Sequence, residues 1–324
     1  MKYCFIINPY AGKGKYTEEL CQNIKDTLGK RDADFEICIT DKIGDAREYI
    51  RKTVEERKEN EEVGFFGCGG DGTLCETVNG VMRLENRENV YVGLVPIGTG
   101  NDFVRNFGTG AEFMDISAQA ECKPYFVDLI RCNDMYAINM VNIGFDCEVV
   151  CKTAHFKRKP YIPSKFAYIA GLIATLAKKP GVKAKMSIDG GEKTEESLLL
   201  TTFANGCFCG GGFHSNPLAG LDDGKIDALL IKDMSRIKFI SLVGDYKSGT
   251  HLSKEKFKKI LTHKKADEIE LEFGADANIC IDGEVIRADR LHMSVEKKAL
   301  GFLVPKGADV GLCDASLKKE EASV

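Results

Sequence analysis

The 324-residue sequence lacks a hydrophobic run long enough to cross a membrane as a helix. A spanning helix needs about 20 consecutive apolar residues, and the longest candidate, Phe166–Ala177, is shorter. Internal repeats and low-complexity segments are also missing, and we expect Lys318–Val324 to be a frayed tail. The net charge of −4 gives no general attraction to polyanions, so no nucleic-acid partner is expected.

The 13 cysteines do not follow the pattern of a zinc site or of a secreted disulfide framework. Met1 and Lys2 lead directly into a predicted strand, without the pattern of a signal peptide. The closest pair, Cys207 and Cys209, has no second pair or histidine at zinc spacing. An odd number of cysteines in a long chain without secretory features predicts reduced thiols and a cytoplasmic protein.

The length and the ordinary hydrophobic content of 44% allow two domains with full cores. Strand and helix patterns alternate at first, which predicts an open α/β domain over residues 1–123. Short β-rich runs then dominate, which predicts a β-sandwich or barrel-like domain over 124–298. We expect two helices to interrupt it, at about Tyr168–Lys178 and Ser235–Tyr246, and the segment 299–324 to return to the first domain.

The glycine-rich stretch Gly67–Gly80, GCGGDGTLCETVNG, lies between a predicted strand, Val63–Phe66, and a helical pattern. Free backbone N–H groups and the helix dipole favour an anion at such a junction. Asp71 is the charged group of this turn, and a carboxylate beside phosphate needs a metal ion to neutralise it. The stretch therefore predicts a site for nucleotide phosphate.

The same glycines permit an alternative interpretation as a dinucleotide-binding oxidoreductase. Gly67, Gly69 and Gly72 match the G-x-G-x-x-G fingerprint. That fingerprint belongs on a first strand, with an acidic residue at the end of the next strand. Here it falls on the third predicted strand, and the fourth, Val92–Pro96, leads into another glycine loop. The phosphate-site interpretation is therefore favoured.

Two further loops follow predicted strands: NPYAGKG at Asn8–Gly14 and GTGND at Gly98–Asp102. We expect Thr17 to cap the first helix and Asp102 to cap a later one. One such loop is compatible with an ordinary turn. Because strand-end loops gather at the carboxyl edge of a parallel sheet, three in succession favour a shared binding site.

The second half contains three candidate stretches that are each compatible with a simple turn. Asn205–Phe213 is rich in glycine, and Leu221–Ile226 places two carboxylates before a strand. In Ile281–Val285, Asp282 and Glu284 flank a glycine. In a hairpin they could point the same way, as a general base and its metal-linked partner must.

Taken together and in this order, NPYAGKG, GGDGTLCETVNG and PIGTGNDFVR resemble the diacylglycerol kinase catalytic-domain family. That family includes bacterial diacylglycerol and related lipid kinases and the sphingosine and ceramide kinases. The similarity continues through Ile143–Asp146 (IGFD), Ala204–Asp227 and Ile281–Glu284 (IDGE), so it covers nearly the whole chain.

The resemblance implies a two-domain lipid kinase that uses ATP and Mg²⁺, with the active site in the cleft. The residues that match the family's nucleotide-binding positions are Asn8, Pro9, Ala11, Gly12, Thr40, Gly69, Gly70, Asp71, Gly72, Thr73, Glu76, Thr99 and Asn101.

The resemblance also implies a structural Mg²⁺ in the second domain, held by Asp223 and by the backbone carbonyls of Gly220 and Lys225. It places the catalytic base in the motif Asp282-Gly283-Glu284. We favour Glu284 as the proton acceptor and Asp282 as its partner; the reverse assignment is open, and Asp71 is a third candidate.

Diacylglycerol is the leading substrate, and phosphatidylglycerol or a sphingoid base are alternatives. NAD kinases and phosphofructokinases also carry a GGDGT loop, but they lack NPxAGxG and GTGNDF in this combination. A nucleotide-binding regulator that has kept the fold is the non-enzymatic alternative. Retention of Asp71, Asp223, Asp282 and Glu284 favours an active enzyme over such a regulator.

A lipid kinase must meet its substrate at a membrane, so we expect peripheral association with the inner face. Lys152–Lys165, KTAHFKRKPYIPSK, is basic with interspersed aromatics and suits an anionic bilayer, at about 1 kcal/mol per charge. A solvated loop is the alternative, and salt-sensitive binding to anionic vesicles would distinguish the two. A homodimer is expected from the general frequency of such assemblies.

Overall fold

The structure is a computed structural model of the whole chain and describes residues 1–157, 175, 181–232, 234 and 236–310. Four predicted segments lie wholly or largely outside these residues: Lys152–Lys165, Phe166–Ala177, Tyr168–Lys178 and Lys318–Val324.

The chain divides into two compact units. The first combines Met1–Leu129 with the chain from Lys297 onward, and the second is Ile130–Glu296. These boundaries fall a few residues from the predicted ones. Both lie inside strands, Lys123–Cys132 and Glu284–Val304, so no change in composition marks them.

The first unit is an open α/β structure, as predicted. Parallel pairing gives the strand order β2-β1-β3-β4, and Gly301 and Phe302 of the last strand continue the parallel pairing beside β4. The strands are β1 (Lys2–Ile7), β2 (Phe35–Ile39), β3 (Val63–Gly69) and β4 (Val90–Pro96), and the helices are α1 (Thr17–Gly29), α2 (Asp45–Glu56), α3 (Asp71–Met82) and α4 (Ile116–Gln119).

Burial explains why these segments form these elements. All seven residues of β3 are buried, as expected for a central parallel strand covered on both faces. In α1 the buried residues are Leu20, Ile24 and Leu28, which recur every fourth position and form one apolar stripe. Cys4 and Cys68 are buried free thiols, and burial raises the pKa of Cys4 to about 12.

The two predicted helix caps are wrong. Because the Leu20 N–H donates to the Tyr16 carbonyl, Thr17 already lies inside the first turn of α1. Asp102 precedes only a short 3₁₀ segment, Phe103–Phe107, and its side chain makes no capping hydrogen bond. The backbone of Asp102 is instead fixed by another carboxylate, described below.

The second unit is an antiparallel sheet structure with two described helices. Two strands, β5 (Lys123–Cys132) and β13 (Glu284–Val304), cross the boundary between the units. The strands wholly inside the second unit are β6 (Met135–Ala137), β7 (Met140–Gly144), β8 (Val182–Ile188), β9 (Thr194–Ala204), β10 (Ile226–Lys232), β11 (Leu261–Ala266) and β12 (Glu268–Ile281), and its helices are α5 (Phe145–Lys157) and α6 (Arg236–Ser248). Of the helices that the structure describes, none is both long and apolar enough to span a membrane.

The sheet of the second unit closes on itself. The long strands β9 and β12 each pair with β7 near one end and with β8 near the other. This arrangement encloses a core, and it confirms the predicted sandwich or barrel-like architecture. The interior includes Val141, Ile143, Phe203, Ile269, Ile279 and Leu291. A second apolar cluster joins the sheet to α5 and α6 and includes Phe145, Leu199, Leu229, Phe239 and Tyr246.

Candidate active site

The three glycine loops of the first unit meet at the carboxyl edge of its sheet. Gly98 donates its N–H to the carbonyl of Gly69 at 3.0 Å. A Cβ on Gly98 would lie 2.3 Å from the Cα of Gly70, and a Cβ on Gly69 would lie 2.1 Å from Oγ1 of Thr73. The β3–α3 loop and the loop after β4 therefore touch backbone to backbone, which glycine alone permits.

The loop after β1 joins the same place. Asn8 donates from its backbone N–H to the Cys68 carbonyl at 3.0 Å and from Nδ2 to Oγ1 of Thr73 at 3.3 Å. Gly12 has a φ of 57°, and a Cβ there would lie 2.8 Å from the carbonyl oxygen of Ile97. Three loops that are far apart in sequence thus surround the N-terminus of α3.

Several predicted binding residues hold this edge together. Thr40 donates from its backbone N–H to the Ile7 carbonyl at 3.0 Å, and Oε1 of Glu76 accepts the N–H of Gly44 at 2.7 Å. Asn101 donates from Nδ2 to the carbonyls of Pro96 and Gly98. The remaining predicted residues lie in or beside these loops: Pro9, Ala11, Gly72 and the exposed Thr99.

Asp71, at the first position of α3, connects two of the loops. Its Oδ1 accepts the backbone N–H groups of Asp102 at 2.8 Å and Phe103 at 3.3 Å. A Cβ on Gly100 would lie 2.7 Å from Oδ2 of Asp71, so the carboxylate fits only against glycine. Desolvation by burial, with the nearby Asp102 charge, raises the pKa of Asp71, although the two N–H donors oppose the shift.

Asp102 is the residue whose place in this site the sequence did not indicate. The residue is only 7% exposed, next to Asp71, and its Oδ1 lies 3.5 Å from Nε of Arg105. Two neighbouring carboxylates are a donor set that a divalent cation fits. The sequence does place this aspartate in the strand-end loop GTGND, but an aspartate at that position also resembles an ordinary helix cap.

In the second unit, Asp282 and Gly283 form a two-residue hairpin between β12 and β13, with φ values of 46° and 94°. The Asp282 carboxylate accepts backbone N–H groups from Ile138 at 2.7 Å, Asn139 at 3.1 Å and Met140 at 2.7 Å. It is therefore a buried, fully engaged anchor for the hairpin.

Glu284, by contrast, is exposed at the start of β13. Its carboxylate has no hydrogen-bond or ion-pair partner among the described residues. The two carboxylates thus lie in different environments, since Asp282 is buried and Glu284 is exposed.

The glycine-rich stretch after β9 packs on the backbone that binds Asp282. Asn205 and Gly206 both donate their N–H groups to the Asn139 carbonyl, and Nδ2 of Asn139 donates to the Phe208 carbonyl at 2.9 Å. Phe208 stacks on His214, with ring centroids 4.6 Å apart. The stretch is therefore part of one hydrogen-bonded structure with the hairpin.

Asp223 occupies a turn before β10. Its Oδ1 accepts the Lys225 N–H at 3.0 Å, and a Cβ on Gly220 would lie 3.0 Å from its Cγ. These are the neighbours that the resemblance implies. The structure adds Lys265, whose Nζ lies 2.5 Å from Oδ2 of Asp223.

A small cavity of about 60 Å³ lies between the sheet of the second unit and its two helices. Its lining is mostly apolar: Asn142, Phe145, Val149, Val150, Leu200, Cys209, Gly210, Phe213, Phe239, Val243 and Tyr246. Oδ1 of Asn142 is buried without a hydrogen-bond partner in the described chain. The cavity suits a hydrocarbon group with a polar atom near one end.

Comparison with protein families gives two matches that together span most of the chain. Residues 2–131 match the diacylglycerol kinase catalytic domain. Residues 139–304 match the YegS C-terminal NAD kinase beta sandwich-like domain.

The similarity to individual proteins also covers most of the sequence. A protein from Staphylococcus aureus named diacylglycerol kinase is 28% identical over 281 residues, covering 86% of this chain and 84% of that protein. One from Shewanella frigidimarina, named "Probable lipid kinase YegS-like", is 26% identical over 73% of this chain and 75% of its own. A crystal structure of a diacylglycerol kinase from Bacillus anthracis shares the fold, with a TM-score of 0.68, 22% identity and coverage of 94% and 97% of the two chains.

The environment of Asp71 predicts a pH-dependent gain of stability in Asp71→Asn. A raised pKa means that folding disfavours the ionised carboxylate; this penalty is absent below the ordinary value of 3.8 and complete above the folded-state pKa. The variant should therefore melt at a higher temperature than the wild type at pH 7, with the difference vanishing towards pH 3.

Asp45→Asn is the control of opposite sign. The N–H groups of Asp41 and Lys42 lower the pKa of Asp45, so this substitution should lower the melting temperature at pH 7. An Asp71→Asn curve parallel to that of the wild type from pH 3 to pH 7 would contradict the assigned cause.

Proposed function

The chain belongs to the diacylglycerol kinase catalytic-domain family, and on that premise we propose that it transfers the γ-phosphate of ATP to the hydroxyl of diacylglycerol. Members of this family are ATP-dependent phosphotransferases that act on lipids. The observation that carries the choice of a lipid here is the apolar cavity beneath α5 and α6. Phosphatidylglycerol and sphingoid bases are the competing acceptors.

The loops around the N-terminus of α3 support binding of the ATP phosphates. Gly70 and Gly72 leave backbone N–H groups without a neighbouring Cβ, and the 12-residue helix directs its positive end towards them. We propose that Asp71 and Asp102 hold the Mg²⁺ that accompanies ATP, which neutralises charge on the transferred phosphoryl group. This pair fits a cation because both carboxylates are desolvated and adjacent.

We assign the proton-accepting role to Glu284. As the lipid hydroxyl oxygen bonds to the γ-phosphorus, the bond to the β–γ bridging oxygen breaks, ADP leaves and the hydroxyl proton passes to the carboxylate. Glu284 is suited to this because its carboxylate is exposed and uncommitted. Asp282 is a positioning residue, since three backbone N–H groups already occupy its oxygens.

Asp71 is the competing base. Burial shifts the pKa of Asp71 upward, towards physiological pH, and a general base transfers protons best when its pKa lies near the working pH. Its Oδ1 already accepts two backbone N–H groups. Because a second carboxylate, Asp102, lies beside it, we assign Asp71 to metal binding. We therefore rank Glu284 above it, and the variants below distinguish the two.

The cavity supports an acyl-bearing acceptor. Because its volume is that of only a few methylene groups, we propose that it takes part of one acyl chain, with Asn142 beside a polar atom of the lipid. Such a substrate lies in a bilayer, so we further propose peripheral action at an anionic inner membrane surface. A homodimer remains a prediction.

The first test is Mg²⁺-dependent transfer of labelled phosphate from ATP. The acceptors are dioleoylglycerol, phosphatidylglycerol, sphingosine and ceramide in mixed micelles, with NAD and fructose 6-phosphate beside them. We expect label in dioleoylglycerol. Glu284→Gln should lower kcat by about 10²–10⁴-fold because the proton acceptor is lost, while the melting temperature stays close to that of the wild type.

Asp282→Asn serves as the matched comparison in the same hairpin. Because it weakens the anchor, it should lower the melting temperature together with kcat. Full turnover in Glu284→Gln with none in Asp71→Asn would move the base to Asp71. Label confined to NAD or the sugar phosphate would overturn the lipid assignment.

The cavity generates a second test on α6. Val243→Trp fills the cavity, whereas Ile240→Trp places the same side chain on the exposed face of the same helix. We expect Val243→Trp to raise the KM for dioleoylglycerol roughly tenfold, which corresponds to about 1.4 kcal/mol, and to leave the KM for ATP unchanged. Equal effects of the two tryptophans would contradict an acyl site here.

A further inference from the structure

The turn that carries Asp223 is surrounded by alternating charges. Asp223 pairs with Lys265, and Nζ of Lys225 lies 2.6 Å from Oδ2 of Asp267. Within this group of four, two carboxylates face two ammonium groups, so their charges cancel.

Strand pairing fixes the position of Lys265. It lies on β11, opposite Asp227 of β10, and Asp223 precedes β10 by a short turn. His263, two residues earlier on the same face of β11, binds Oδ2 of Asp227 at 2.6 Å. His263 and Lys265 of β11 thus contact the carboxylates of Asp227 and Asp223 at the start of β10, and both placements follow from one register.

A divalent metal at Asp223 does not fit this arrangement. Mg²⁺ takes six oxygen ligands at short distances in a nearly octahedral shell. Oδ1 of Asp223 already accepts the Lys225 N–H, and Oδ2 faces the Lys265 ammonium. An entering Mg²⁺ would have to displace that ammonium and would then lie close to two lysines of like charge.

We propose that the ammonium of Lys265 is the resident cation of the Asp223 turn and that the turn keeps its shape without a divalent metal. A covalently attached positive charge takes the position that the family resemblance gives to Mg²⁺. The Mg²⁺ requirement of the protein then belongs to ATP alone. This inference does not depend on the lipid that is phosphorylated.

The test measures the midpoint of thermal unfolding of the full chain without nucleotide, once in EDTA and once in MgCl₂. The MgCl₂ concentration is ~10 mM, so that a Mg²⁺ site of ordinary dissociation constant would be occupied. The wild type should melt at the same temperature in both. Lys265→Met should melt about 1–3 °C lower in EDTA, and Mg²⁺ should restore part of the loss. The restoration should be absent from the double variant Asp223→Asn, Lys265→Met.

Two matched variants separate the role of this ammonium from general charge. Lys264→Met removes the neighbouring, exposed lysine of β11 and should behave as the wild type. Lys265→Arg keeps the charge, and its melting temperature should remain insensitive to Mg²⁺.

Mn²⁺ titration followed by electron paramagnetic resonance tests metal binding directly. Only the Lys265→Met variant should show a Mn²⁺ site that depends on Asp223.

The proposal fails if Mg²⁺ raises the midpoint of the wild type and Asp223→Asn abolishes that rise. It also fails if Lys265→Met melts at the wild-type temperature in EDTA. Either result is independent of kinase activity, so it leaves the proposed function untouched.

Discussion

The hydrogen bonding of Asp282 is the constraint on which the second unit's candidate site depends. One carboxylate collects three consecutive backbone N–H groups, and the carbonyl of Asn139 in the same segment accepts two more from the glycine-rich stretch. A buried carboxylate is tolerated only when such donors replace water. The hairpin, the start of β7 and the Asn205–Phe208 backbone are thereby fixed together, and the exposed Glu284 is carried on a rigid support.

Asp71 in the first unit is also a buried carboxylate that accepts backbone N–H groups, but its surroundings differ from those of Asp282. It accepts the N–H groups of Asp102 and Phe103 and lies beside a second carboxylate, so burial dominates and its pKa rises. The contrast separates two uses of aspartate that look alike in a sequence. Full engagement by backbone donors produces an anchor, whereas partial engagement beside like charge produces a group suited to metal binding or proton transfer.

The sequence predicted the α/β unit, the sheet-rich unit and the meeting of three glycine loops, because periodicity and strand-end glycines are local signals. It failed where long-range contacts decide the structure. Asp102 resembled a helix cap because its contact with Asp71 is long-range. The spacing of Asp282 and Glu284 does not reveal which of the two side chains collects backbone N–H groups. Lys265 was missed because only the pairing of β10 with β11 brings it to Asp223.

The contact between Gly70 and Gly98 limits how sequences of this kind can diverge. A Cβ on Gly98 would meet the main chain of Gly70, and main-chain atoms cannot be made smaller by substitution. A change at Gly98 therefore has no compensating change at Gly70, in contrast to packed side chains, which exchange volume. Among descendants of this sequence Gly98 should persist whatever residue stands at position 70, so methods that infer contacts from correlated substitutions would be blind to the contact that joins these two loops.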